Sequence, residues 1–259
     1  MTRLPLLLTL VLAWAPAGAQ TLTRRVLDTD GPVQFTFAAR PGVCGDGATF
    51  VRDGFGGNNR IYENGNFSDR SRGDDWPPCT PGPVRVVASV SGGDILRLRT
   101  YAGPRRAGDS PPRDLGIVPV SEATDFLARL IEQAHGRAAN DAVLPFVLAD
   151  SITPWPTLLR FARDEQLSRG LRSNVAFWLA RGATAKLGLA DRNEDDDDDV
   201  RSSAVFALSQ QPKETAIPEL IEVVRHAPHP AARAQALFWL GQSGDRRAID
   251  LLDEILRRR

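Results

Sequence analysis

Histidine, lysine and cysteine are scarce in this chain of 259 residues. The histidines are His135, His226 and His229, so the first 134 residues contain none. This excludes a catalytic triad or a metal site built on histidine from the first half of the chain. His226 and His229 lie close together, but Pro228 and Pro230 predict a turn there and no third ligand is evident nearby. We predict no metal site, no cofactor and no catalytic residue, and therefore a protein that is not an enzyme.

An excess of charge is also absent. Lysine and arginine total 32, aspartate and glutamate total 32, and the formal net charge is zero. A balanced chain has no general attraction for nucleic acid, so no nucleic-acid partner is expected. Beyond the N-terminus no apolar run reaches the roughly 20 residues that a membrane-spanning helix needs. We therefore expect no transmembrane segment in the mature chain.

The N-terminus carries the one long apolar run. Arg3 precedes the run Leu4–Trp14, and Ala17 and Ala19 have the spacing of a signal-peptidase site. The alternative is a membrane anchor, but the run is too short to span a bilayer of about 30 Å. The pattern predicts a signal peptide over residues 1–19 and a mature chain that is periplasmic or extracellular.

Export determines how the two cysteines are interpreted. Cys44 and Cys79 are the only cysteines, and both lie in a region rich in glycine and proline. In an oxidising compartment such a pair is typical of a structural disulfide. Closing a loop of this length stabilises a small domain by roughly 3–4 kcal/mol in the chain-entropy model.

Residues 20–118 predict a β-rich domain that contains this disulfide. Period-two alternation marks strands at Val33–Phe37, Val84–Val90 and Ile95–Tyr101, and a further strand is expected near Ala48–Arg52. The short Gly-Gly turn between the second and third predicts an antiparallel hairpin. Leu96 and Leu98 are expected on one face of it and Ile95, Arg97 and Arg99 on the other.

The region from Gly54 to Pro83 is crowded with polar and turn-forming residues and is predicted to be a loop tied down through Cys79. This region also suggests an alternative function, a hydrolase or ligand-processing protein whose site lies within residues 45–83. The charged residues that would supply such a site are Asp46, Asp53, Arg60, Glu63, Asp69, Arg70, Asp74 and Asp75.

Residues 121–259 change to helical periodicity and repeat themselves. Val200–Val224 and Ala232–Leu256 align at an offset of 32, and two more eroded copies precede them. The matched pairs are Arg201/Arg233, Ala204/Ala236, Phe206/Phe238, Leu208/Leu240, Gln210/Gln242, Ala216/Ala248, Ile217/Ile249, Leu220/Leu252 and Glu222/Glu254. A period near 30 residues with two helices per copy predicts an α-helical solenoid. The fold class is therefore α+β, a small disulfide-linked antiparallel β domain followed by an all-α repeat domain.

Second helices are predicted at Trp155–Arg163, Thr215–His226 and Arg247–Arg257. The copy around Phe177 has only Ala183–Ala190 before an acidic run, so its second helix should be short or irregular.

The strings VRSSAVFALSQ and AARAQALFWLGQSGDRRAIDLLDEIL resemble bacterial HEAT repeats of the type first described in phycobilisome lyases. The resemblance covers about residues 137–258. It implies a right-handed superhelix that recognises proteins, and it does not imply lyase chemistry, because a fold alone does not carry a function.

An aromatic residue recurs in each first helix. Phe146, Phe177, Phe206 and Phe238 occupy equivalent positions, and Trp178 and Trp239 follow two of them. The phenylalanines lie well away from the face that meets the partner helix, at about 100° per residue. They either pack between neighbouring repeats or form an apolar stripe for a partner protein.

The acidic run Asp195–Asp199 suggests calcium. It departs from an EF-hand loop at two positions that the loop geometry needs, with Asp196 in place of glycine and Ser202 in place of glutamate. We predict a solvated acidic loop in which Asp199 is the N-cap of the next helix, with calcium binding as the alternative.

These features together predict a non-enzymatic, exported protein-binding scaffold or adaptor. Its partner is a protein whose identity the sequence does not indicate.

Overall fold

Strands form the first part of the chain and helices the second, so the predicted α+β class is confirmed. The computed structural model describes residues 21–55, 60–63, 66–69, 79–105, 112–133, 136–189 and 196–258. The predicted signal peptide, residues 1–19, lies outside the described residues.

The strands are β1 (Gly31–Phe37), β2 (Val43–Gly45), β3 (Phe50–Asp53), β4 (Arg60–Glu63), β5 (Asn66–Asp69), β6 (Thr80–Pro81), β7 (Val84–Ser91), β8 (Asp94–Ala102) and β9 (Arg113–Ile117). The helices are α1 (Leu22–Leu27), α2 (Val120–Gln133), α3 (Arg137–Leu148), α4 (Trp155–Arg163), α5 (Arg169–Lys186), α6 (Asp196–Ser209), α7 (Lys213–His226), α8 (Pro230–Ser243) and α9 (Arg246–Arg257).

One sheet has the strand order β8-β7-β1-β9. β1, β7 and β8 are antiparallel, whereas β9 runs parallel to β1. The predicted hairpin of β7 and β8 is confirmed, and both residues of its turn, Gly92 and Gly93, have positive φ (60° and 84°). Two positive φ angles are typical of a type I′ turn, whose twist matches that of the strands it joins.

The hairpin departs from strict alternation at its tip. Leu96 and Leu98 were expected on one face of the hairpin, but their environments differ: Leu98 is buried, whereas Leu96 is 56% exposed. The ladder between β7 and β8 shifts register between Ser89 and Val90. A bulge of this kind increases local twist, which turns the end of the hairpin away from the core.

The second sheet has the order β5-β4-β3-β2-β6. It includes β4 and β5, so part of the region predicted as a polar loop is strand. Cys44 on β2 is joined to Cys79 just before β6, with a Cα–Cα distance of 5.2 Å, and the predicted disulfide is thereby confirmed. The bond holds β6 beside β2, where Cys44 is opposite Pro81.

The first sheet packs directly on the helices. Phe35 of β1 meets Phe126 of α2 edge-to-face at 5.5 Å, and Val33 and Phe37 are buried beside it. The backbone N–H of Asp150, beyond α3, donates to the carbonyl oxygen of Ala38 at 3.0 Å. One hydrophobic core therefore continues from the strands into the helical array.

From α2 onward the helices form two layers. In one layer α3 contacts α5, α5 contacts α8 and α8 contacts α6. In the other, Arg160 of α4 pairs with Glu132 of α2, and α9 lies between α4 and α7. Ion pairs hold α9 in this position, with Arg163 of α4 at 2.9 Å from Asp253 and Arg225 of α7 at 3.2 Å from Glu254.

The order of these helices in space differs from their order in the chain. The pair α8/α9 packs against α4/α5, and the pair α6/α7 lies beyond it at the end of the array. Repeats normally stack in chain order, so this arrangement departs from the usual one. The exchange leaves α6 as a terminal helix: of its described side chains, only Val205 is buried.

Two helix boundaries correct the predictions. The residues expected to start a second helix after Arg181 continue α5 as far as Lys186, and Leu187 and Gly188 then form a turn. α6 begins at Asp196, so Asp199 lies inside the helix and is not its N-cap. Acidic residues in the first turn stabilise a helix through its dipole, which explains the earlier start.

Candidate protein-binding surface

The recurring phenylalanines all lie in the layer formed by α3, α5, α8 and α6. Phe146 and Phe177 are 4% and 6% exposed, and Trp178 is 1% exposed. These rings pack between neighbouring helices, so they belong to the core and not to a free surface. The packing interpretation of the aromatic repeat applies to these three residues.

The remaining rings approach the surface as the array ends. Phe238 and Trp239 of α8 are half-buried, and Phe206 of α6 is 46% exposed. Phe206 lies on Trp239 with ring centroids 5.3 Å apart, and Trp239 meets Phe238 at 4.9 Å. We call Phe206, Phe238 and Trp239 the aromatic end surface.

Trp239 carries a further polar feature. Its indole Nε1 is buried and has no hydrogen-bond partner within the described part of the chain. An unpaired buried N–H costs about 1–3 kcal/mol. Because this donor is buried, the aromatic end surface presents apolar rings to the solvent.

A chain of ring contacts connects this surface to the β domain. Phe238 meets Phe177 at 6.4 Å, and Phe177 meets Trp178 at 5.3 Å. Trp178 in turn lies 6.2 Å from Phe55, just beyond β3, and Phe55 lies 5.4 Å from Trp155. Aromatic contacts at these distances stabilise packing beyond the area they bury, so the β domain and the array are firmly joined.

A buried ion pair lies beside these rings. Arg181 of α5 donates to both carboxylate oxygens of Asp53 on β3, at 2.8–3.1 Å, and both side chains are about 7% exposed or less. The Asp53 carboxylate also accepts the backbone N–H of Phe55 at 2.9 Å. The geometry is the planar, two-pronged one that favours arginine over lysine. This pair fixes the β domain against the middle of the array.

A second cation supports the same junction. The guanidinium of Arg40 lies over the ring of Phe55, 3.8 Å from its centroid. Burial lowers the pKa of Arg40, and the nearby Asp53 carboxylate opposes that shift. Neither Arg40 nor Arg181 was predicted to have a role. The arginine within the apolar run FWLARGA is a sequence signal from which a buried acidic partner could have been inferred.

Asp141 of α3 is another acid at the contact between the two domains. It accepts the backbone N–H of Leu98 at 3.1 Å and lies 3.8 Å from Arg97. Burial raises the pKa of Asp141, and the Leu98 and Arg97 contacts offset only part of that effect.

Asp141→Asn is expected to change the free energy of unfolding by less than about 1 kcal/mol at neutral pH, because an amide oxygen still accepts the Leu98 N–H. The raised pKa means that the native state binds more protons, so the Asp141 contribution to stability falls as pH rises above about 3.9. Urea unfolding between pH 4 and 7 should show this decline in the wild type and less of it in the variant. An equal slope in both proteins would contradict the assignment.

The charged residues proposed for a hydrolase site do not converge where they are described. Asp46 accepts hydrogen bonds from the Thr49 hydroxyl and from the backbone N–H groups of Ala48, Thr49 and Phe50. Burial alone would raise the pKa of Asp46, but these hydrogen bonds outweigh it and lower the pKa well below its usual range. Asp53 is committed to Arg181. The side chains of the other residues predicted for this site lie outside the described part of the structure, namely Arg60, Glu63, Asp69, Arg70, Asp74 and Asp75.

No group of three His, Cys, Asp or Glu side chains in the described ranges is arranged to hold a metal ion. The residues that precede α6 in the acidic run, including Asp195, lie outside those ranges. Among the helices that the structure describes, none has the length and apolar character needed to cross a bilayer.

Comparison with known proteins places the C-terminal helices in a family. Residues 187–259 match the family model of HEAT repeats, a range that includes α6 to α9. Neither the curated proteins nor the solved structures gave a match. The C-terminal helical region therefore contains HEAT repeats, and these commonly serve as protein-interaction scaffolds.

Proposed function

We propose that this protein is a non-enzymatic, exported scaffold that binds another protein through the aromatic end surface. The observation that carries the proposal is Phe206, which is 46% exposed while its repeat equivalents on α3 and α5 are buried. Exposed aromatic rings at the centre of a contact contribute much of the energy of protein recognition. The HEAT repeats and the disulfide support the proposal, the first through their common use and the second through its compartment.

The geometry favours a folded partner with apolar side chains. Phe206 lies against Trp239 and is 46% exposed on α6. A partner can therefore approach the ring closely from the open side of α6.

Phe206→Ala is expected to weaken binding of the partner by about 2 kcal/mol, near thirtyfold, because it removes the most exposed ring of the surface. It should leave the thermal midpoint nearly unchanged, since the ring is half outside the core. The measurement is affinity for the partner, once captured, by titration calorimetry. Leu96→Ala is the matched control, as Leu96 is 56% exposed on the β domain.

The partner is found by site-specific photo-cross-linking in cells that produce the protein. A photoreactive amino acid at position 206 should give one specific adduct, and the same group at position 117 should not. Ile117 is 85% exposed on β9 and so reports random collisions. Equal adducts at both positions, or none at position 206, would refute the proposed surface. Mass spectrometry of the purified protein tests export, with a mature N-terminus at Gln20 as the expected result.

A further inference from the structure

A second concave site lies between the ends of three helices. Its cavity measures about 270 Å³ and is lined by Leu187, Val224, Arg225, His226, Arg233, Leu251, Ile255 and Arg258. The three arginines come from α7, from α8 and from the residue after α9. We call this site the arginine pocket. The described residues that line it include no carboxylate.

The pocket has an apolar floor. Val224, Leu251 and Ile255 are 2–4% exposed, so their side chains are held in place by the core. A rigid apolar floor beneath charged walls suits a ligand that carries a negative group beside an apolar one.

Two of the arginines share one carboxylate at the rim. Arg225 lies 3.2 Å from Glu254, and Arg258 donates to the same side chain. Hydrogen bonding from Arg258, with that from Arg225, lowers the pKa of Glu254. Both guanidiniums are substantially exposed, at 46% and 62%. Exposed ion pairs of this kind are weak, so an incoming carboxylate can displace Glu254 at small cost.

Arg233 is fixed in a different way. Its Nε donates to the carbonyl oxygen of Val224 at 2.9 Å, which anchors the guanidinium between α7 and α8. That bond uses one of the five N–H donors of the group. The other donors of Arg233 form no hydrogen bond within the residues that the structure describes. These donors are therefore available to an incoming acceptor, because no described side chain competes for them.

We propose that the arginine pocket binds an acidic segment of a protein partner, with a carboxylate between Arg225, Arg233 and Arg258 and an adjacent aliphatic side chain on the floor. Charge complementarity carries the choice. Three guanidiniums line the cavity, two of them share the Glu254 carboxylate, and the other carboxylate beside the pocket, Glu222, pairs with His226 at 2.8 Å. Guanidinium also matches carboxylate in geometry. This inference rests on the proposed scaffold function. It specifies the chemistry of one segment of the partner that the scaffold binds.

The probe is a phage-displayed library of random dodecapeptides selected on the full chain. Enriched peptides should carry aspartate or glutamate next to leucine, isoleucine or valine. Synthetic copies of the best peptide, with a free or an amidated C-terminus, separate a chain-terminal carboxylate from a side-chain one. Replacing each acid by its amide should abolish binding.

Two variants should move the affinity for that peptide in opposite directions. Arg225→Gln with Arg258→Gln should weaken binding about tenfold, as two charge-assisted hydrogen bonds are lost. Glu254→Gln should strengthen binding about threefold, because it removes the competing carboxylate from the rim. Arg246→Gln, an exposed arginine at the other end of α9, is the matched control and should have no effect.

Enrichment of neutral or basic peptides, a failure to enrich any peptide, or equal affinities in all variants would overturn the assignment of the pocket. The cross-link at position 206 is independent of these substitutions. If that adduct persists while the peptide result fails, the scaffold function stands and the pocket does not. If the adduct is absent as well, the scaffold proposal fails with it.

Discussion

Replacing Arg181 by methionine is expected to lower the free energy of unfolding by about 3–5 kcal/mol. The substitution removes the cation from a buried pair and leaves the Asp53 carboxylate at 4% exposure without its partner. The hydrogen bond from the backbone N–H of Phe55 and the neighbouring Arg40 guanidinium then remain beside a charge that has lost most of its solvation. Urea unfolding monitored by the fluorescence of Trp155 and Trp178 reports directly on this junction.

A second substitution separates the charge from the packing. Asp53→Asn in the Arg181→Met background removes the unpaired charge, while the amide oxygen still accepts the Phe55 N–H. The double variant should therefore recover most of the lost stability, because replacing a buried ion pair by neutral groups is often close to neutral. If Arg181→Met costs less than about 1 kcal/mol, or if the double variant is the less stable of the two, the pair does not fix the junction.

The junction also shows where sequence reasoning stops. The disulfide, the β7–β8 hairpin and most helices follow from local patterns, since cysteine spacing, a Gly-Gly turn and helical periodicity are each read within a few residues. The partner of Arg181 lies 128 residues away on β3. A lone arginine in an apolar helix indicates that some acid is near, but not which one.

The order of the repeats could not be predicted for a related reason. α6 and α8 carry nearly the same motif, so the sequence copies do not specify which of them contacts α5. Close packing decides between them. Ala180 of α5 has its equivalents at Ser209 on α6 and Gly241 on α8, and only glycine permits the closest approach.

The same limit applies to the candidate site. The recurrence of Phe177, Phe206 and Phe238 is evident in the sequence, but the exposure of each ring depends on which helix covers it. Phe206 is exposed because α6 ends the array. The arginine pocket was missed, because Arg225, Arg233 and Arg258 have no periodic spacing and come together only in the packing of α7 against α8 and α9.

That exchange is tested by Gly241→Val, which is expected to lower the free energy of unfolding by about 3 kcal/mol. A Cβ atom placed on Gly241 would lie 2.7 Å from Ala180 Cβ and 3.0 Å from the carbonyl oxygen of Ala176. Because backbone atoms of α5 form part of this obstacle, the two helices must separate to accept any side chain, and valine adds two methyl groups. The loss should appear as a lower urea midpoint with an unchanged slope.

The matched control is Ser209→Val at the equivalent position of the neighbouring copy. Ser209 is the last residue of terminal helix α6, and its hydroxyl bonds only locally among described contacts, donating to the carbonyl oxygen of Phe206 and accepting from Nε2 of Gln210. A substitution there should cost less than about 0.5 kcal/mol, the usual range for a surface change. If the repeats stacked in chain order, α6 would pack against α5 and the two costs would be reversed. A larger loss at position 209 than at position 241 would therefore refute the exchanged order, and with it the exposure of Phe206.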